Sequence, residues 1–520
     1  MLLALTLFPL LVLGDQWHSP QIVDLRDDST RLVALALAAL AATAVLTVAF
    51  HRWPILLPLA IVFALPFRIP LHASGDTANL LVPLYLVIAG GVLSTVGEWQ
   101  EGGGVHLRAG FFAGRRASLT EPVGRKTGRR TQIDPPSLLP YVLAGVVLLY
   151  ALQTLYSPDF SKSLQNVCFF FVPFSLVYAL LRDVRWDRKL LVLVLWVVAI
   201  EAVAFVLVGS IEYVSRSLFW NDQVIRSNEF HTYFRVNSIF WDPNIYGRYL
   251  ALAIIVAMSA LLWAKERRTL ALLAGLVAVL WLGLVPTFSQ SSFAALLAGM
   301  AVLAALRWSW RWTVGAVGAV ALLAVLVVVF AGGTSKISIP RLNVDTGGRA
   351  NLVSGGTDLF AQRPIWGYGA GSFPRAYREH IATKKAPVLV SHTEPVTVAA
   401  EQGLIGLAAY AALLLAALWT MATGLIPRRE GRGSLLGAAP SFSHRSVGER
   451  DRPQGEKAGS QERPPTLPLA QRVARVAVLA TFAALLVHTM AYAGFYEDPI
   501  TWVLLAAGAS LAVVPVRSGT

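Results

Sequence analysis

Three short stretches of this 520-residue chain gather residue types that hold anions and move protons. The first is Arg235-Val-Asn-Ser-Ile-Phe-Trp-Asp242-Pro243-Asn244-Ile-Tyr-Gly247-Arg248, which reads as the start of a helix. Asp242 suits the capping position, and Pro243 suits the first helical position, where a missing amide hydrogen costs nothing. Free N–H groups and the dipole at such a start favour an anion, and Arg235 lies just outside it. Arg248 falls about one turn below Asn244 in an apolar run, where a cation needs a polar cavity or a partner.

In the second stretch, Arg349 follows Gly347-Gly348 and precedes Leu352, Val353, Leu359 and Phe360. That spacing predicts an amphipathic surface helix opened by Arg349. Next comes Gln362-Arg363-Pro364-Ile-Trp366-Gly367-Tyr-Gly369-Ala-Gly371-Ser-Phe373, whose glycines permit a turn or close backbone approach. Neither a strand nor a suitably placed acid accompanies it, so it reads as a structured turn rather than a nucleotide loop. The third stretch is Ser391-His392-Thr-Glu394-Pro395, continuing through Glu401-Gln402-Gly403-Leu-Ile-Gly406-Leu407. His392 precedes the helix that Pro395 starts, and Glu401 lies about two turns further in, so an acid and a base border one cavity. Imidazole, with an ordinary pKa of about 6.5, takes a proton from a hydroxyl at neutral pH. Taken singly, each arginine reads equally well as snorkelling to lipid phosphate, and a lone histidine as a satisfied interfacial side chain.

The elements that must position these residues are membrane helices. Hydrophobic residues make up 55% of the chain and charged residues only 14%, more apolar than a soluble core of this size needs. Apolar blocks of roughly 17 to 22 residues recur, about the length that spans a hydrocarbon core. The pattern predicts an all-α polytopic membrane protein with about 12–14 transmembrane helices and one large extracytoplasmic loop containing short helices. Met1 to Leu13 lacks the positive start of a secretory signal and reads as a short span or interfacial segment.

Basic stretches assign the sides. Residues 97–136 and 427–475 read as cytoplasmic linkers separating N-terminal helices (1–96), central helices (137–331) with an outer loop at 210–241, and a C-terminal hairpin (476–516). Residues 332–395 form the large outer loop and 396–426 a further span. That loop carries Lys336, Arg341, Arg349, Arg363, Arg375, Arg378, Lys384 and Lys385 against Asp345, Asp358, Glu379 and Glu394. Long loops cross regardless of charge, and a polyanionic ligand at the outer surface accounts for the excess. The net charge of +14 thus belongs to anionic lipid and such a ligand, not to nucleic acid. A single cysteine, Cys168, excludes an internal disulfide and argues against a thiolate metal cluster.

The three stretches together resemble the O-antigen ligase and polymerase superfamily of bacterial membrane glycosyltransferases over roughly residues 234–415. Family members place an arginine before a Pro-Asn pair, as in Arg235, Pro243 and Asn244. Their large loop opens with Gly-Arg, passes Pro then Gly-x-Gly, and closes with His then Glu-x-Gly-x-x-Gly. Here these are Arg349, Pro364, Gly367, Gly369, His392, Glu401, Gly403 and Gly406. Two departures stand out: Phe288-Ser-Gln-Ser-Ser292 lacks the Ser-Arg pair of many members, and their His-Asn is His392-Thr393 here.

The resemblance implies a multi-pass protein of the bacterial inner membrane, with its site facing the exterior and no cofactor or metal. The implied donor is an undecaprenyl-pyrophosphate-linked glycan, and the acceptor a glycan or glycolipid, with polysaccharide-export proteins as possible partners. Arg235 and Arg349, together with Arg248 and Arg363, would bind the pyrophosphate as guanidinium forks. His392 would orient or deprotonate the acceptor hydroxyl, and Glu401 would orient His392 or another cavity residue. Asp242, Pro243, Asn244 and the glycines would shape the site. Ligation and polymerisation remain equally open, and the rival reading is a transporter or flippase with Glu201, Arg248 and Glu401 along its path.

Overall fold

The computed structural model describes residues 28–73, 76–100, 138–219, 233–315, 349–381, 391–423 and 468–512, with isolated positions 10, 11, 14, 23, 224, 225, 228, 229, 318 and 425. The expected first segment Met1 to Leu13 and the linkers at 97–136 and 427–475 lie largely outside these residues, as does the apolar run before residue 331.

The helices are α1 (Ser29–Arg52), α2 (Leu56–Ala64), α3 (Val82–Gln100), α4 (Leu139–Thr154), α5 (Phe160–Asn166), α6 (Val172–Leu181) and α7 (Arg188–Ser215). Then come α8 (Pro243–Trp263), α9 (Arg267–Leu284), α10 (Gln290–Arg307), α11 (Arg349–Gln362), α12 (Phe373–His380), α13 (Glu394–Ala422), α14 (Leu469–Thr489) and α15 (Pro499–Ala512). A π turn, Val167–Phe171, joins α5 to α6, and the Tyr85 hydroxyl donates to the Phe169 carbonyl within it at 2.8 Å. Among the described residues eight helical segments are long and apolar enough to cross a membrane, and three more helices are apolar but shorter. The protein is an all-α polytopic membrane protein.

Two details differ from the sequence reading. Strands Ile69–Ala73 and Asp76–Leu80 form an antiparallel hairpin with Ile69 opposite Leu80 and Ala73 opposite Asp76. Pro70 explains the break in a run otherwise suited to a helix: it lacks an amide donor and biases the residue before it towards extended backbone. Second, α14 begins at Leu469 rather than 476, so Gln471, Arg472 and Arg475 belong to the helix instead of the linker. Arg475 is buried and donates to the Thr423 carbonyl just beyond α13, which satisfies a cation at that helix end.

α8 is the centre of the bundle: 67% of its apolar window is buried, against none for α1, which lies at the edge and packs along α3. α8 packs on α9, α10 and α14, and α10 lies along α14. Lipid tails are as apolar as leucine, so helices associate in a membrane through close packing and polar contacts. At Gly299 of α10 an added Cβ would stand 2.3 Å from Ile255 of α8 and 3.2 Å from the Ala480 carbonyl of α14.

Candidate active site

The starts of α8, α13 and α15 and the end of α14 meet at one end of the bundle. Asp242 caps α8, its Oδ1 accepting from the Asn244 N–H at 2.6 Å, with Pro243 in the first turn. Arg235 folds back onto this start. Its Nε donates to the Thr287 carbonyl at 2.9 Å, and a terminal nitrogen donates to Asn244 Oδ1 at 3.2 Å. Burial pulls the Arg235 guanidinium below its ordinary pKa, and the neighbouring Asp242 opposes this.

Arg349 is the first residue of α11. One face of that helix packs on the protein: Gly355, Gly356 and Leu359 are buried, with Gly355 against Tyr377 and Gly356 against Val396 and Phe373. Arg349 lines an open pocket of about 470 Å³ together with Ala350, Val353, Ser354, His392, Thr393, Met490 and Ala491.

His392 stands two residues before α13 with φ +63°, a left-handed backbone that a residue with a Cβ adopts at some cost. Its neighbours hold it there. The Thr393 hydroxyl donates to the Met490 carbonyl at 3.1 Å, and Glu394 accepts from the Gly494 and Phe495 amides at 2.7 and 3.1 Å. Partial burial, and then the charge of Arg349, lower the His392 pKa, while Asp242 acts in the opposite sense. The imidazole is therefore neutral and proton-accepting at neutral pH.

Glu401 does not point at His392. Its carboxylate accepts from the Gly371 and Phe373 amides at 2.8 and 3.0 Å. The helix around it is broken at Gly403 (φ +64°, ψ −161°), and the turn at 364–369 pairs with the break. Tyr368 and Gly369 donate to the Ala400 and Glu401 carbonyls at 3.1 and 2.7 Å, and Leu404 donates to Pro364 O at 2.7 Å. A Cβ at Gly403 would meet Ile365 O at 2.3 Å, and one at Gly367 would meet Glu401 O at 2.3 Å. These two glycines are where two backbones cross; Gly369 closes on Ser157 and Gly406 on Gln402.

Two expected phosphate-binding arginines are engaged elsewhere. Arg248 forms an ion pair with Asp498 at 2.9 Å, with side chains only 4% and 2% exposed. Arg363 is exposed, and its guanidinium lies 4.5 Å from the centre of the Tyr368 ring, away from the residues that line the pocket. Charged side chains in lipid are costly, and for Arg248 a partner answers that cost more simply than a ligand does.

The same end of the bundle holds residues the sequence reading did not single out. His488, fully buried at the end of α14, places Nε2 3.2 Å from the Ser291 hydroxyl. The Tyr492 hydroxyl reaches Asp242 Oδ2 at 3.3 Å, and its ring is near both His392 and His488, with centroids 6.5 and 5.7 Å away. Arg68, part-buried before the hairpin, has its pKa lowered by burial, against the influence of Asp498. Glu212 of α7 accepts from Ser238 and Asn237 amides at 2.7 and 3.1 Å and so fixes the loop that follows Arg235.

Residues 275–411 match the O-antigen ligase family model. The O-antigen ligase match agrees with the resemblance seen in the motifs. It takes in Arg349, His392 and Glu401; Arg235, Asp242 and Arg248 precede it, and His488, Tyr492 and Asp498 follow it. No curated protein matches the chain.

Proposed function

We propose that this protein is a glycosyltransferase of the bacterial inner membrane that moves glycan from an undecaprenyl-pyrophosphate donor to a hydroxyl acceptor at the extracytoplasmic face. One observation carries the reading: a guanidinium, Arg349, and an imidazole, His392, line the same pocket, with Arg235 and Asp242 close enough for their charges to interact with them. The acceptor oxygen forms a bond to the anomeric carbon as the bond from that carbon to the pyrophosphate oxygen breaks. His392 takes the acceptor's proton, and Arg349 with Arg235 neutralises the charge that develops on the departing lipid pyrophosphate. Two cations, one from each outer loop, supply what a metal supplies elsewhere, so the reading calls for none. Glu401 has a different part from the one expected: it holds the glycine turn against α13.

Arg349→Ala, Arg235→Ala and His392→Ala are each expected to abolish transfer while leaving the amount of folded protein unchanged. Normal glycan length and amount in all three removes the proposal. Purified protein given a lipid-linked repeat separates the two forms of the activity. A ladder of lengthening products marks a polymerase, and one discrete adduct on a glycolipid such as lipid A core marks a ligase. Accumulation of glycan inside acceptor-free liposomes would instead indicate transport.

A further inference from the structure

We propose that Tyr492 is the positioning residue for His392, its ring setting the plane of the imidazole and its hydroxyl tying that ring to Asp242. This rests on the proposed role of His392 as the base.

His392 cannot hold its own orientation. Its backbone is left-handed, and no hydrogen bond from another side chain fixes the ring among the described residues; what faces it is the Tyr492 ring, tilted 60° to it with centroids 6.5 Å apart. Edge-to-face pairs of aromatic rings lie within about 4.5–7 Å, so this is a contact geometry with a preferred angle. Buried His488 also packs on the Tyr492 ring, with centroids 5.7 Å apart, and the Tyr492 hydroxyl is directed to Asp242 Oδ2 at 3.3 Å. Three elements thus meet on one phenol: the cap of α8, the residue ahead of α13 and the end of α14.

The backbone around Tyr492 is equally constrained. Its N–H donates to the His488 carbonyl at 3.0 Å, Met490 O accepts from Thr393, and Glu394 binds the amides of Gly494 and Phe495. A residue that served only to fill space would not need anchoring on both sides to the segment that carries His392. Met490 and Ala491, immediately before it, form part of the pocket wall. Tyr492 and its neighbours Met490, Ala491, Gly494 and Phe495 lie beyond residues 275–411, so the C-terminal hairpin adds them to a wall whose other side, His392 to Glu394, belongs to the matched segment.

The charged and titratable groups that bear on His392 are Arg349 on α11, Asp242 at the start of α8 and Tyr492 after α14. Arg235 is near enough to Asp242 for their charges to interact, and the His488 ring centre lies 5.7 Å from that of Tyr492. The Asp242 charge favours protonated His392, and the Tyr492 hydroxyl, by donating to Asp242, tempers that pull. Tyr492→Phe keeps the ring and releases the carboxylate. His392 then protonates at a higher pH, and the acid limb of the rate profile moves upward. Tyr492→Leu removes the ring itself and lets the imidazole turn.

The test uses full-length protein in detergent, with lipid-linked glycan extracted from cells that lack the protein as donor. Rates are taken per folded molecule by size exclusion. For Tyr492→Leu the expected result is a kcat lower by about tenfold or more with donor KM within about twofold, as for a displaced reacting group. For Tyr492→Phe it is an acid limb displaced upward relative to its own plateau rate. An unmoved limb in Tyr492→Phe, or an undiminished kcat in Tyr492→Leu, overturns the proposal. Should Tyr492→Leu not fold, the limb in Tyr492→Phe decides alone. Transfer that survives His392→Ala overturns this proposal and the proposed chemistry together; failure of the Tyr492 results with His392→Ala inactive overturns only the role of Tyr492.

Discussion

Arg248 is where an arginine's chemistry and its surroundings point in different directions, and a charge-removal cycle with Asp498 separates them. At 2.9 Å and an effective dielectric of about 20, the two charges attract by about 6 kcal/mol before either is desolvated. Desolvation of two groups so deeply enclosed consumes most of that, so the pair as a whole adds little stability. Removing one partner is different, because the other charge stays buried and unmatched, at roughly 3–5 kcal/mol. Arg248→Met falls at the lower end, since Arg68 is near enough to share the Asp498 charge. Asp498→Asn falls at the upper end, because it leaves Arg248 and Arg68 facing each other. Arg248→Met with Asp498→Leu regains most of the loss. The assay is thermal melting in detergent, followed by fluorescence on size exclusion, run beside glycan transfer. A single Arg248→Met as stable as wild type refutes the reasoning, and so does a double variant no more stable than either single one. The transfer arm then reads the role of Arg248. A double variant that is stable and active makes it structural; one that is stable but inactive restores it as a donor contact.

Three further outcomes follow from the site. His392 works as a base in its neutral form, and burial with Arg349 lowers its pKa from the ordinary imidazole value, so the acid limb of the wild-type rate profile has its midpoint below pH 6.5; a midpoint above that value refutes the assignment. Gly403→Ala places a Cβ 2.3 Å from the Ile365 carbonyl oxygen at φ +64°, and about 1–3 kcal/mol of backbone strain adds to the overlap, so the melting temperature and transfer fall together; an unchanged melting temperature would show that the two backbones do not cross there. Ser354→Cys puts a thiol in the pocket of a chain whose one native cysteine, Cys168, is buried. A membrane-impermeant maleimide added from outside should label that variant and not the parent, and labelling only after the membrane is broken places the pocket on the wrong side.

What was legible in the sequence was what local rules govern. The start of α8 was readable because Asp242, Pro243 and Asn244 are adjacent and each has a positional preference, and Arg349 and Pro395 marked two further helix starts in the same way. The convergence of Arg349 and His392 was readable only through the order of motifs in a known family, since no local rule brings together residues so far apart. The hairpin at 69–80 was missed because its first half is apolar enough to pass for a broken span. Tyr492 and Asp498 were missed for a plainer reason. Tyr492 meets Asp242 across a separation of 250 residues, and nothing in Ala-Tyr-Ala-Gly tells that tyrosine from an ordinary interface aromatic.

Glu401 shows the limit of reading charges in apolar runs. A carboxylate below a membrane surface is costly, so the sequence argument assigns it to function, and the neighbouring histidine makes a catalytic pairing attractive. The structure meets the same cost differently. Glu212, Glu394 and Glu401 each accept from two backbone amides of a loop that returns to the bundle. Such amides have no strand or helix partner there, and water is scarce, so a carboxylate on the adjacent helix satisfies two donors at once with charge-assisted bonds. The loops so held precede α8, follow α14 and form the glycine turn, and the first two carry Asp242 and Tyr492. A buried acid in such a chain is therefore first a means of holding loop backbone in place. Among the described residues the cation that lines the pocket is Arg349, and under the proposed function it is where a phosphate group has something left to bind.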